Sequence, residues 1–173
     1  MSLRERLAER LNGTVVVVGV GNPLRGDDAA GSLAARRLMG MTRTHVIDAE
    51  EVPESYLGEV RAAAPDTVVL IDAVDLGAEP GSVALLEKED VALYFPSTHR
   101  LPLSLMMEFV QRETGADTFV LAVQPCGLDF GAPVSDEVEA SVSLLVKMLG
   151  EVLSARRAAV EARPSEAEGT VAC

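Results

Sequence analysis

The chain has 173 residues, 48% of them hydrophobic, with aromatic residues at 3% and no tryptophan. That supports one domain with a full core of Val, Leu, Ile, Ala and Met, and it excludes a wholly disordered chain. A formal net charge of −12 opposes nonspecific attraction to nucleic acid or anionic lipid, because both partners would be negative. An acidic surface suits a basic peptide or a metal cation, and solubility alone also accounts for it.

The two cysteines are Cys126 and Cys173, and a core of this size needs no disulfide. No apolar run reaches ~18 residues, so no transmembrane helix is expected. The opening MSLRERLAERLNG is basic but lacks the apolar stretch of a signal peptide, which makes the cytoplasm the expected compartment.

In chain order, Leu3, Leu7 and Leu11 recur at four-residue spacing and predict a short amphipathic helix over residues 2–11, ended by Gly13. The run from Thr14 to Val20 is continuously apolar and β-branched, as in a strand buried on both faces of a parallel sheet. Asp27 to Met39 reads as a helix, His45 to Ala49 as a short strand and Pro53 to Ala63 as a helix. Asp66 to Asp72, DTVVLID, is another buried strand ending in an acid. Residues 76–81, LGAEPG, carry a turn signal. The strand predicted over Ser82 to Glu87 would be antiparallel, since its connection is too short for a crossover helix.

Pro102 to Glu113 places Leu103, Met106, Met107 and Val110 on one helical side. Thr118 to Val123 is the last predicted strand, and Ser135 to about Val160 a long closing helix. Residues from Arg163 lack a core pattern and are expected to be disordered. Strands alternating with helices predict a three-layer α/β/α sandwich. The expected organisation is a single domain over 1–162, with an N-terminal helix in 1–12 and a disordered tail over 163–173.

In such sheets functional residues gather at the carboxyl ends of the strands. Three segments put chemistry there: GVGNPLRGDDAAG at 19–31, Asp72 with Asp75 beyond it, and STHRLPL at 97–103. The first is a poor dinucleotide site. The third glycine of the fingerprint would fall at Leu24, and Asp27 and Asp28 would repel a pyrophosphate at the helix start. Helix capping is the plain structural reading of Asp27 and Asp28, and turn-capping that of Asp72. Taken alone, His99 reads as an ordinary surface or core histidine, and His45, at the start of a strand, does too.

Together, however, Asp28, Asp72 and His99 make an O,O,N ligand set that suits zinc, nickel or a similar ion and leaves coordination positions open. Two nearby carboxylates repel unless a cation, a proton or a base joins them. There is no HExxH helix, CxxC pair or GxSxG elbow. An ordinary zinc protease, a structural zinc site and a serine hydrolase therefore lose support. Cys126, in the QPCGLD turn, is expected to be buried as a small hydrophobe.

Four segments, VGVGNPLRGDDAAG, LIDAVDLGAEPGSV, FPSTHRLPLSLMMEF and LAVQPCGLDFGAPVSDEVEASV, together resemble the NiFe hydrogenase maturation proteases. The resemblance is strongest to the branch that processes the large subunit of hydrogenase 3 of the formate hydrogenlyase type. It spans Thr14 to about Leu149 and leaves out the opening helix and the tail. It implies a phosphorylase/hydrolase-like fold with a five-stranded, mostly parallel sheet and one antiparallel strand.

The resemblance implies metal ligation, and with it catalysis, by Asp28, Asp72 and His99. Many relatives carry Glu at the first of these positions. Asp48 matches a position often acidic in the family, as a supporting or substrate-contacting residue or simply as a turn former. The implied substrate is the nickel-loaded precursor of a hydrogenase large subunit, whose C-terminal extension is removed in one cut. Nickel would arrive with that substrate; zinc or another divalent ion could occupy the site in isolated protein. Neither nucleic acid nor a membrane is implied as a partner. Metal-polarised attack by water and carboxylate-assisted attack by water both remain open. So does a non-catalytic reading, a metal-sensing chaperone of the large subunit.

Overall fold

Five strands and six helices follow one another along the chain in the computed structural model, which describes residues 1–94 and 103–162. Helix α1 (Leu3–Arg10) opens with a reciprocal capping box between Ser2 and Glu5. Strand β1 (Val15–Val20), helix α2 (Ala30–Met39), strand β2 (His45–Glu50) and helix α3 (Leu57–Ala62) come next. Strand β3 (Thr67–Ala73), strand β4 (Val83–Leu86), helix α4 (Lys88–Tyr94), helix α5 (Leu103–Thr114), strand β5 (Asp117–Val123) and helix α6 (Asp136–Glu161) complete the domain. The helix expected from Asp27 begins as a 3-10 turn, Gly26–Ala29, and another 3-10 turn, Pro53–Tyr56, precedes α3.

The strand order is β2-β1-β3-β5-β4. The β1–β2, β1–β3 and β3–β5 pairs are parallel, and β4 runs antiparallel to β5 at the edge, with Val83 opposite Val123 and Leu86 opposite Val120. The short stretch between β3 and β4 forces that antiparallel entry, since no helix returns the chain to the other end of the sheet. Helix α4 is the one element the apolar pattern does not predict. Its seven residues are too few to show a helical period.

Alternation along each strand divides the core between two faces. Val15, Val17, Val69, Ile71, Phe119 and Leu121 pack with α1, α2 and α6 residues such as Leu7, Leu38 and Leu149. Val16, Val18, Val68, Leu70, Val120 and Ala122 pack with Val60 of α3, Val91 of α4 and Met106 of α5. All six residues of β1 are buried, so this strand has to be apolar throughout. Helix α1 is further tied to the sheet by Arg10, whose guanidinium pairs with Glu87 and Asp117 and lies 4.3 Å from the Phe119 ring centroid. The tail expected to be disordered, 163–173, lies outside the described residues.

The closest approach in the fold brings α2 onto the ends of β1 and β3. A methyl group at Gly31 would overlap the carbonyl oxygens of Ile71 and Val20, and one at Gly19 would overlap the Gly31 carbonyl. These are backbone atoms that cannot swing aside. Gly31→Ala is therefore expected to destabilise the protein by about 3 kcal/mol, read as a lower midpoint in urea unfolding. A wild-type midpoint would show that α2 does not need this contact.

Candidate functional site

The strand order places a topological switch point between β1 and β3. The chain leaves β1 for β2 on one side and returns through α3 to β3 on the other. At such a point the loops leaving neighbouring strands generally diverge and open a crevice at the carboxyl ends. Asp28 sits in the 3-10 turn after β1, and Asp72 is the next-to-last residue of β3. Both carboxylates are buried.

Two backbone constraints fix the segments that carry these acids. Gly21, at φ 134°, passes so close to the Asp28 carbonyl that a side chain there would collide with it. Ile71, the residue before Asp72, presents its carbonyl to Gly31, three residues beyond Asp28. Each carboxylate accepts a backbone hydrogen bond: Asp28 Oδ2 from the Asn22 N–H at 3.0 Å, and Asp72 Oδ1 from its neighbour's Ala73 N–H at 2.8 Å. Asn22 also organises the turn, its Oδ1 accepting from the Leu24 N–H at 2.8 Å. A register shift between Gly19 and Val20 lets the Gly21 N–H reach the Glu50 carbonyl at 2.7 Å, so β2 buttresses the same loop.

The plain capping reading of Asp27 and Asp28 fails here, because no side chain caps either the 3-10 turn or α2. Asp27 instead reaches across to the loop between β5 and α6. Its carboxylate accepts from the N–H groups of Ser135 at 2.6 Å, Cys126 at 2.7 Å and Gly127 at 3.3 Å, and from the Ser135 hydroxyl at 2.8 Å. Its own N–H donates to the Gly127 carbonyl at 3.0 Å. Asp27 thus locks the turn that carries Asp28 to a distant segment. Two adjacent acids in a sequence do not reveal which of them faces inward to a remote loop.

Gln124 is a further polar residue that sequence patterning passes over. It follows the apolar β5 and is buried. Its Oε1 accepts from the Leu76 N–H at 2.6 Å and the Ala78 N–H at 3.3 Å, and its Nε2 donates to Asp75 Oδ1 at 3.2 Å. Gln124 therefore fixes the turn immediately beyond Asp72. Its position directly after an apolar strand was the only available signal.

Asp48 lies elsewhere. It faces α2, where Arg36 Nε donates to Asp48 Oδ2 at 2.6 Å and Arg36 Nη2 donates to Glu50 Oε1 at 2.9 Å. His45 contacts Glu59 at 2.8 Å, at the amino end of β2 and away from the crevice. Cys126 is exposed rather than buried, because its backbone N–H is held inward by Asp27 and the side chain is left on the outside of the turn. His99 lies outside the described residues. Among the described residues no group of three His, Cys, Asp or Glu side chains is arranged to hold an ion.

The fold is an α/β/α sandwich with two buried acids, Asp28 and Asp72, at the carboxyl side of its switch point. The family model described as hydrogenase maturation protease matches residues 31–152. The hydrogenase 3 maturation protease of Escherichia coli strain K12 is 29% identical over 139 residues, covering 79% of this chain and 88% of that protein. A crystal structure of a NiFe hydrogenase maturation protease from Thermococcus kodakarensis KOD1 superposes with a TM-score of 0.81 at 31% identity, covering 86% of this chain and 99% of the other. A solution structure of an endopeptidase from Escherichia coli gives 0.74 at 28% identity, covering 80% and 90%. The chain belongs to the hydrogenase maturation protease family, and it has the peptidase fold of these relatives. Among the described residues no helix is long and apolar enough to cross a membrane.

The Asp27 clamp has a measurable signature. Burial works to raise the Asp27 pKa, but the four hydrogen bonds from Ser135, Cys126 and Gly127 outweigh it and hold the group below the ordinary carboxylate value. A group more acidic in the folded chain than in the unfolded one stabilises the fold fully above the unfolded value, about pH 4. That stabilisation is lost as pH falls through the folded value. Asp27→Asn should therefore cost about 2 kcal/mol at pH 7, and the gap to wild type should close as the pH drops below about 4. Urea unfolding of both proteins across that range checks it; a gap independent of pH would show that the charge of Asp27 is not what holds the loop.

Proposed function

We propose that this protein is the endopeptidase that removes the C-terminal extension from the nickel-loaded precursor of a NiFe hydrogenase large subunit. What supports this reading, beside the family, is that two buried acids stand beyond the ends of neighbouring parallel strands, Asp28 in the turn after β1 and Asp72 at the end of β3. Neighbouring carboxylates repel one another, and a cation between them relieves that repulsion. A nickel ion held by the substrate would supply that cation and polarise the bond to be cut. Nearness to the metal would then depend on the substrate having been loaded, which makes cleavage conditional on correct assembly.

His99 is the third member of the proposed set. The sequence supplies it in the STHRLPL segment, between β4 and α5 in chain order. Oxygen and nitrogen donors of this kind complete a coordination sphere already begun by substrate thiolates. A carboxylate beside the scissile bond can also take the proton of the attacking water, a role open to Asp28 and to Asp72.

Asp28→Ala, Asp72→Ala and His99→Ala should each lower the cleavage rate of nickel-loaded precursor by roughly 10²-fold or more, with circular dichroism unchanged. Processing is followed as the mobility shift of the large subunit, and wild-type rates in the Asp72 variant would remove the assignment. The source of the metal is tested separately. Enzyme stripped of metal and then freed of chelator should cut loaded precursor, while nickel-free precursor should resist whatever metal the enzyme is given. A stripped enzyme that stays inactive on loaded precursor until zinc is restored would make the ion the enzyme's own. Stable binding without any cut by wild-type protein would favour a metal-sensing chaperone.

A further inference from the structure

We propose that Leu24, Leu128 and Phe130 form an apolar lip that holds the substrate polypeptide beside the acidic cleft, by gripping a large apolar side chain near the scissile bond. The proposal rests on the peptidase reading above and adds how the substrate chain is held. Leu24 is 60% exposed, Leu128 42% and Phe130 75%. Single exposed apolar residues are ordinary. These three, however, stand on two loops far apart in sequence that are bonded to one another.

The Gly131 N–H donates to the Leu24 carbonyl at 2.7 Å, and Arg25 Nε donates to the Leu128 carbonyl at 3.3 Å. Behind them the Asp27 carboxylate binds Cys126, Gly127 and Ser135. Gly26, at φ 52°, lies so near the Gly127 carbonyl that an added side-chain carbon would stand 2.9 Å from it. The loops are thus locked together before any partner arrives, and a preformed surface loses little freedom on binding.

The lip also shares its turn with the acid. Asn22 orients Asp28 through its N–H and fixes the Leu24 N–H through its side chain. Whatever rests on Leu24 is therefore held in register with the Asp28 carboxylate. Members of this family act on polypeptide, so the occupant that must lie against the rim of this crevice is an extended peptide stretch. Three apolar side chains select an apolar residue in it. A second copy of the chain seated there would cover the cleft and shut the substrate out.

The test is the double variant Leu24→Ser/Phe130→Ser in the full chain, with cleavage rates measured over a range of nickel-loaded precursor concentrations. Both side chains are exposed, so unfolding temperature should match wild type. If the double variant is unstable, Phe130→Ser alone serves. KM should rise about tenfold or more, from the lost apolar contact area, with the fall in kcat/KM carried by KM. Phe130→Leu should restore most of it. An unchanged KM, or a fall in kcat at constant KM, overturns the lip while leaving the peptidase reading in place. A wild-type dimer in sedimentation that the double variant dissolves would assign the surface to a second copy and also overturn it. Wild-type enzyme that leaves loaded precursor uncut removes the peptidase reading, and the lip with it.

Discussion

Helix α2 meets the sheet backbone to backbone, and the rest of the site depends on that contact. Gly19 on β1 and Gly31 on α2 leave no side chain between them, and Gly31 also abuts the ends of β1 and β3. Interiors pack at crystal-like density, so a contact with no side chains between the backbones fixes position more tightly than one cushioned by flexible groups. The turn before α2 is thereby pressed onto the carboxyl ends of the central strands. Asp28 is carried there by the path of the chain, and Asp72 arrives at the end of β3.

A second constraint, the Asp27 carboxylate, converts that placement into a rigid rim. By gathering donors from Cys126, Gly127 and Ser135 it joins the first loop to the loop before α6. Gln124 does the equivalent for the turn after Asp72. Buried polar groups are retained where every donor and acceptor finds a partner, and here those partners are the backbones of the loops around the cleft. Neighbouring acids in one sequence motif consequently bind different segments: Asp27 holds the distant loop, and Asp28 accepts from Asn22 within its own turn.

Ion pairs stand at both ends of β2. At the amino ends His45 pairs with Glu59, and on the α2 face Arg36 pairs with Asp48 and Glu50. These are surface ion pairs, which contribute modestly to stability.

The sequence by itself determined the layers. Unbroken apolar runs at Val15–Val20 and in β3 required a sheet covered on both faces, and the short connection before β4 required an antiparallel edge. These are local properties, fixed by the two-residue period of strands and the length of chain between them. It also singled out Asp72, an acid at the carboxyl end of an apolar strand, and Asp28 in the loop that follows one. Tertiary structure alone decided what Asp27 and Gln124 bind, that Cys126 is exposed, and that Leu24, Leu128 and Phe130 stand together. Each of those depends on a contact between residues about 50 to 100 positions apart. Such contacts are set by how the strands are ordered in the sheet, which no local pattern encodes.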